Sequence, residues 1–305
     1  VVVTGGSGFV GRHLLAALAR EAPAPRVLLV RRSDRPITLP REAAAWSWEQ
    51  TTLDLAGATP AGSSRDWPEG ATVIHLAAAT GRAPRERHWA VNVAATRRLL
   101  AIARQRAASH VLFVSSVAAG YADRRWYHYA ETKREAEALV IASGLPWTIV
   151  RPTMVFGPGS PNQQALAALA SAPWPIIFGR GTSMVQPIHV QDLATALARL
   201  SATGPLRQVV PLGGRDRVTL GELLRQLRRR RGQTERPAIP IPVPPLRLAL
   251  GVLEPLLGRW LPVTAGQLAA FVNDAVAERS DAAAALLPAP LGLAEMLAAD
   301  GDDRR

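Results

Sequence analysis

VVVTGGSGFVGRHLLAALAR, residues Val1 to Arg20, changes its hydrophobic period halfway, and that change decides the fold. Val1 to Val3 form an apolar run without polar alternation, the pattern of a parallel strand buried on both faces. Gly5, Gly8 and Gly11 follow at Gly-x-x-Gly-x-x-Gly spacing, and from Phe9 the apolar residues fall at helical intervals through Val10, Leu14, Leu15 and Leu18. A strand, a glycine turn and a helix start in that order make an anion site. The turn lets backbone approach a pyrophosphate, and the helix N-terminus supplies free N–H groups and a favourable dipole. Gly5, Ser7, Gly8, Phe9, Val10 and Gly11 are therefore expected to hold a dinucleotide.

The next strand candidate, Val27 to Val30, ends at Arg31 and Arg32. An acid at this position would accept hydrogen bonds from the adenosine ribose of NAD, whereas an arginine would pair with the 2′-phosphate of NADP. The first acid comes only at Asp34. NADP(H) is the expected cofactor, with NAD(H) the alternative if Asp34 reaches back to the ribose.

A second signal lies in the middle of the chain. Lys133 is the only lysine, against 35 arginines, and it stands four residues after Tyr129, one of three tyrosines. Residues four apart on a helix share a face, so the ammonium can lie beside the phenol. A nearby cation favours phenolate and is expected to lower the tyrosine pKa toward working pH. Lysine's compact head, unlike arginine's flat fork, can reach cofactor hydroxyls and the phenol together.

Around these two signals, strands and helices alternate. Thr72–Leu76, Val111–Ser115 and Trp147–Val150 are further short apolar strand candidates, and Trp89–Ala107 and Lys133–Ser143 carry helical spacing. The predicted fold is α/β: a Rossmann doubly wound parallel sheet over residues 1–151, joined by a returning strand and helix at 186–201. A smaller substrate-binding lobe is assigned to 152–185 and 202–299, with 300–305 as a flexible tail.

The ordered blocks TGGSGFVG (Thr4 to Gly11), LDL (Leu53 to Leu55), HLAA (His75 to Ala78), VNVAATRRLL (Val91 to Leu100), FVSS (Phe113 to Ser116), YAETK (Tyr129 to Lys133), RPTMVFGPG (Arg151 to Gly159) and QPIHVQDLA (Gln186 to Ala194) cover about two-thirds of the chain. In them the chain resembles an extended or atypical short-chain dehydrogenase/reductase of the NAD-dependent epimerase/dehydratase superfamily. The last block and the carboxy-terminal half are most similar to the atypical branch related to the NADPH-binding accessory subunit of respiratory complex I. The resemblance implies that Asp54 and Leu55 border the adenine and that Ala77 and Ala78 pass close to ribose and phosphates. It implies that Asn92 braces the active-site backbone, and that Pro152, Thr153 and Val155 line the nicotinamide side. Ser116, Tyr129 and Lys133 take the catalytic roles; Ser115 borders the cofactor and is the alternative serine, because only 12 residues separate Ser116 from Tyr129. His75 is expected to be a neutral histidine at a strand end, and Arg151 a loop anchor. Sugar dehydratases of this superfamily carry an Asp-Glu pair after the serine or threonine. Here Val117 and Ala118 occupy those positions, and neither can titrate, which disfavours dehydratase chemistry.

Composition sets the outer limits. The 305 residues, 48% hydrophobic and 20% charged, describe a folded globular chain. With no cysteine and six histidines lacking ligand spacing, no metal is expected. No apolar run reaches membrane-spanning length, and Val1 to Val3 lead straight into the glycine motif, so a cytoplasmic protein without a signal peptide is expected. The net charge of +12 is concentrated at LRQLRRRR (Leu224 to Arg231), but aromatics are only 5% of residues and no nucleic-acid module is present, so no nucleic-acid partner is expected. Downstream, PAIPIPVPPLRLALGVLEPLLGRWLP (Pro237 to Pro262) is proline-rich and then strongly apolar. It is open as buried lobe, homodimer face or peripheral membrane contact through Leu250, Leu253 and Leu257.

Three functional classes follow. The leading one is an NADP(H)-dependent reductase or dehydrogenase interconverting a carbonyl and an alcohol through Ser116, Tyr129 and Lys133. The others are a sugar-nucleotide epimerase working by transient oxidation, and a non-catalytic NADPH-binding accessory protein. Trp174, Ile176, Ile177, Phe178, Leu246, Leu250 and Trp260 lean toward a small-molecule substrate that is bulky and apolar or lipid-like.

Overall fold

The computed structural model describes residues 1–21, 26–32, 37–39, 47–57, 66–257 and 264–302. Its first half alternates strand and helix: β1 (Val2–Thr4), α1 (Phe9–Glu21), β2 (Arg26–Arg31), β3 (Ser47–Thr52), β4 (Thr72–His75), α2 (Arg85–His88), a π-helical segment (Trp89–Ala94), α3 (Ala95–Gln105), β5 (His110–Val114), α4 (His128–Ala142) and β6 (Trp147–Pro152). The second half carries β7 (Val155–Phe156), α5 (Pro161–Ser171), β8 (Ile176–Phe178), β9 (Met184–Val185), β10 (Ile188–His189), α6 (Val190–Thr203), β11 (Val209–Leu212), β12 (Val218–Thr219), α7 (Leu220–Arg230), β13 (Ile239–Ile241), α8 (Val243–Leu257), α9 (Ala269–Val272), α10 (Asp281–Leu286) and α11 (Leu293–Asp302).

Seven parallel strands in the order β11-β6-β5-β4-β1-β2-β3 form the central sheet. Successive residues of each strand point to opposite faces, and both faces are covered. Val3, Leu29, Ile74, Leu112 and Val150 pack with Leu14, Leu15 and Leu18 of α1 and Leu193 and Leu197 of α6. Val2, Leu28, Val73, Val111 and Ile149 pack with Leu99 of α3 and Ala136 and Val140 of α4. Double-sided burial is why these strands read as unbroken apolar runs rather than as alternation. The exception is β3, SWEQTT, whose residues are all at least partly exposed. It is the sheet edge, and no apolar run marks it in the sequence.

Two sequence assignments need correction. Val209–Leu212, placed by sequence in the lobe, is β11 and pairs with β6 from Ile149 to Pro152. Leu286 and Ala283 of α10 join the same core as α6. The 202–299 stretch is therefore divided between sheet and lobe: it crosses back to the sheet because β6 has an unpaired edge whose N–H and C=O groups need partners. Residues 300–302, expected in the flexible tail, belong instead to α11, which runs through Asp302; residues 303–305 lie outside those described.

The remaining elements build the lobe. Leu166, Ala167 and Ala170 of α5 and Leu220, Leu223, Leu224 and Leu227 of α7 share one apolar cluster with Leu293, Met296 and Leu297 of α11. Phe178, Val243, Leu250, Ala265 and Leu268 make a second, under α8. The lobe is tied to the sheet by Thr153, whose hydroxyl donates to the Gln186 carbonyl and whose N–H donates to Leu212 O at 2.9 Å.

Candidate active site

Every strand of the sheet that the sequence tied to a site residue delivers it at its carboxyl end. Gly5–Gly11 follow β1, Arg31 closes β2 with Arg32 next, Asp54 and Leu55 follow β3, Ala77 and Ala78 follow β4, Ser115 and Ser116 follow β5, and Pro152 closes β6 with Thr153 next. β1 lies between β4 and β2, where the strand order reverses, and the crevice beyond that point is where open α/β sheets bind ligands.

The glycines are required there by contact. Gly5 has φ +76°, and a Cβ on it would lie 2.6 Å from Ala77 N. A Cβ on Gly11 would lie 2.3 Å from Gly5 O. The first glycine thus lets β1 and β4 close on each other, and the last lets α1 begin directly against the turn. What remains is a side-chain-free cradle at a helix N-terminus, the shape and polarity that a pyrophosphate needs. The residues present fit a nicotinamide dinucleotide.

A hydrogen-bonded chain stiffens this crevice. Ala77 N–H donates to Thr4 Oγ1 at 3.4 Å, and Thr4 Oγ1 meets His75 Nδ1 at 2.6 Å. On the other side of the ring, His75 Nε2 meets Thr96 Oγ1 at 3.0 Å, and Thr96 donates to Asn92 O at 2.7 Å. Because the Thr96 proton is committed to Asn92, His75 carries its proton on Nε2 and accepts at Nδ1; this tautomer is assigned from the network. Burial, then the Lys133 charge, pushes the His75 pKa down to about 3, so it is the neutral core histidine the sequence suggested. Asn92 braces backbone as expected: its Oδ1 accepts from Ala79 N at 2.7 Å, and its Nδ2 donates to Ala79 O at 3.1 Å and to Thr132 Oγ1 at 2.9 Å. It does so from the π-helical segment, an irregularity often found at functional sites.

The catalytic candidates converge on one wall. Helix α4 starts one residue before Tyr129, so Tyr129 and Lys133 share its inner face. The Ser116 hydroxyl, which accepts from Ala118 N at 3.2 Å, lies near enough to the Tyr129 phenol to oppose the rise that burial gives its pKa. The Ser115 hydroxyl is buried and has no hydrogen-bond partner among the described residues. Lys133 is buried, donates to Val114 O at 2.7 Å and stands 4.8 Å above the Phe113 ring. Burial brings its pKa down to about 8, with Glu137 opposing the shift. The expectation that Lys133 lowers the Tyr129 pKa is not met in this arrangement. Burial pushes the phenol up, Ser116 works against it, and the ammonium is spent on the Val114 carbonyl.

Several neighbours carry no signature in the sequence. All three tyrosines meet here: Tyr127 lies 6.0 Å from Tyr129 and stacks on Tyr121 at 6.4 Å, centroid to centroid. His88, buried at the end of α2, stands edge-on to Tyr129 at 6.3 Å. Glu137, one turn after Lys133, receives Arg151, which ties strand β6 to helix α4 rather than anchoring a loop as the sequence suggested. Only Glu137 had an available signal, its i+4 spacing from Lys133. Of the remaining site residues, Asp54 Oδ1 accepts from Ala56 N at 3.0 Å, and the carbonyl of buried Leu55 accepts from Arg98 at 2.7 Å. Val155 pairs with Ile188. Ser33, Asp34, Arg259 and Trp260 lie outside the described residues. Among the described residues no group of three acidic or histidine side chains could hold a metal.

Known proteins match this architecture. Ceramide reductase of Caulobacter vibrioides is 34% identical over 227 residues, covering 74% of this chain and 68% of that protein. The chloroplastic divinyl chlorophyllide a 8-vinyl-reductase of Oryza sativa subsp. indica is 29% identical over 270 residues, covering 84% of this chain and 64% of that one. Among solved structures, MoeE5 in complex with UDP-glucose and NAD superposes with a TM-score of 0.70 at 25% identity, covering 99% of this chain and 97% of MoeE5. The family model described as "NAD dependent epimerase/dehydratase family" matches residues 1–213. With the glycine cradle and the parallel sheet, these matches establish that the chain belongs to the NAD-dependent epimerase/dehydratase family, as an oxidoreductase of the extended short-chain dehydrogenase/reductase type that uses a nicotinamide dinucleotide.

Proposed function

We propose that the protein is an NADP(H)-dependent oxidoreductase that interconverts a bulky, apolar or lipid-like ketone and its alcohol at Ser116, Tyr129 and Lys133. The observation that carries this is the placement of Tyr129 and buried Lys133 one turn apart on α4, with Lys133 held against β5 at Val114 O and Ser116 following the same strand. A nicotinamide dinucleotide held over the Gly5–Gly11 turn would supply the hydride for the carbonyl carbon, or take it up in the reverse direction. Tyr129 Oη donates its proton to the developing alkoxide oxygen, so hydride and proton together convert C=O into an alcohol. A phenol whose pKa is held up by burial stays protonated until that oxygen arrives, as a general acid must. Ser116 Oγ is placed to give the same oxygen a second hydrogen bond and fix its position. Lys133, with a pKa near 8, is mostly charged at neutral pH and loses its charge through mildly basic pH, and while charged it adds positive potential beneath the site.

Arg31 and Arg32 favour NADP(H): they stand at the end of β2, where the adenosine 2′ position falls and where a guanidinium would fork onto a phosphate. The apolar substrate is favoured by partly buried Val117, Tyr127, Tyr129 and Met154, which lie on one hydrophobic cluster, and by relatives named for ceramide and divinyl chlorophyllide. The likeness to MoeE5 supports an epimerase as the second reading, but arginine at the end of β2 counts against the tightly held NAD such a reaction uses.

Incubation of the purified protein with NADPH or NADH and a long-chain 3-keto lipid, followed by dinucleotide absorbance and product mass, tests the proposal. NADPH oxidation with formation of the alcohol is expected. Preference for NADH, or conversion of UDP-glucose without net dinucleotide turnover, would reject it.

A further inference from the structure

In its described side chains, helix α8 breaks the rule that a surface helix turns polar groups to water. Its inner face is ordinary: Val243 and Leu250 are buried against Phe178, Ala265 and Leu268. Its outer face holds exposed Pro244, Pro245, Leu248, Ala249, Gly251 and Leu253, and no charged residue among them. Leu248 is 67% exposed. An apolar outer face is expensive in water, because each large side chain gives up roughly 1.5–3 kcal/mol of burial.

The exposed apolar surface continues beyond the helix. Eight large apolar side chains are exposed among the described residues, and six of them belong to this lobe or pack on it: Trp126, Trp174, Ile239, Leu248, Leu253 and Val272. Trp126 comes from the loop ahead of α4, and its ring lies 4.0 Å from where a Cβ on Gly251 would sit. Both exposed tryptophans carry an arginine on the ring face, Arg247 on Trp126 at 5.3 Å and Arg236 on Trp174 at 5.1 Å. An amphipathic ring capped by a cation suits the headgroup layer of a bilayer.

The charge at the end of α7 is positive in excess: Glu222 and Glu235 pair with Arg225 and Arg229, and further arginines follow. The carboxyl end of α7 abuts the Trp174 loop, with Arg231 donating to Ser171 Oγ at 2.8 Å and Arg236 to Pro173 O at 3.1 Å. Among the described residues Arg230, Arg231 and Arg236 hydrogen-bond only neutral oxygens, so no carboxylate offsets their charge. We propose that the outer face of α8 with Trp126 at its margin, together with exposed Trp174 and the arginines at the end of α7, is a docking surface for an anionic lipid bilayer. Apolar side chains enter the headgroup–acyl boundary, and the arginines meet lipid phosphates. Trp126 is held at φ 64°, a left-handed conformation rare for an aromatic residue, with its carbonyl pressed against Gly266. One of the three positions expected from sequence is corrected: Leu250 is 5% exposed and belongs to the core, because helical periodicity turns it inward while Leu248 and Leu253 face out; the Leu257 side chain is outside those described.

Flotation of the full chain with vesicles of phosphatidylcholine containing phosphatidylglycerol, against phosphatidylcholine alone, tests the proposal without any turnover, so it stands apart from the redox assignment. Wild type should float with the anionic vesicles and lose several-fold in partition between about 0.02 and 0.15 M salt. Leu248→Ser with Leu253→Ser and Trp174→Ser should lower partition at least ~10-fold while NADPH affinity and melting temperature hold, since all three side chains are exposed. Arg231→Gln with Arg236→Gln should remove much of the preference for anionic vesicles. Absence of wild-type binding at low salt, or unchanged binding by the serine variant, overturns the proposal. So does a concentration-dependent dimer that Leu248→Ser alone dissolves while vesicles are ignored, since a second copy would then cover this face.

Discussion

Glu137 and Arg151 close a two-pronged ion pair behind the catalytic wall, Nε to Oε1 at 2.9 Å and Nη2 to Oε2 at 2.6 Å. Glu137 is nearly fully buried on α4, one turn beyond Lys133, while Arg151 comes from β6 and keeps partial contact with water. The pair joins the helix carrying Tyr129 to the strand leading into Pro152 and Thr153. It also places a carboxylate beneath Lys133, where it holds the ammonium pKa up against burial.

Glu137→Gln should therefore act twice. Loss of the pair should cost about 1–3 kcal/mol of stability, less than for a fully buried pair because water screens Arg151. It should also lower the Lys133 pKa below about 8, moving the corresponding limb of the turnover–pH profile to lower pH. An unmoved profile would show that Glu137 is structural alone.

Tyr129→Phe removes the proposed proton donor and leaves the ring in place. Turnover should fall by the ~10²–10⁴-fold typical of general-acid catalysis, with NADPH affinity kept. Turnover within a few-fold of wild type would remove Tyr129 from the mechanism.

Arg31→Ala tests cofactor selection by titrating both dinucleotides. Loss of a charge-assisted contact should weaken NADPH roughly 10- to 100-fold and leave NADH almost unchanged. Equal loss for both would show that this arginine is not the selector.

Gly11→Ala places a methyl group where Gly5 O stands 2.3 Å away, so turn and helix must separate. Dinucleotide affinity and melting temperature should fall together, by an overpacking cost of roughly 1–3 kcal/mol. A variant with normal affinity would mean the turn is looser than the contact implies.

His75 sets an acid limit. Its pKa of about 3 in the fold lies below the usual 6.5, so between those values the unfolded chain binds the extra proton and stability falls as pH falls. The melting temperature of wild type should drop more steeply from pH 6.5 toward pH 4 than that of His75→Gln. Parallel curves would assign the acid loss to other groups.

Much of this molecule is written locally. The period change in Val1 to Arg20, the glycine spacing and the i,i+4 pair Tyr129–Lys133 depend on neighbours within a few residues, and the strand, turn and shared helix face follow from them directly. The strands buried on both faces announced themselves for the same reason, whereas edge strand β3 did not, because half of it meets water. Other features are products of distance along the chain. Val209–Leu212 became a sheet strand because β6 had an open edge, Leu248 and Leu250 were sorted outward and inward by a core assembled from residues 178 to 268, and Lys133 turned to Val114 O rather than to the phenol. Such outcomes depend on which groups burial brings together and which hydrogen bonds must then be satisfied, and no local spacing encodes them.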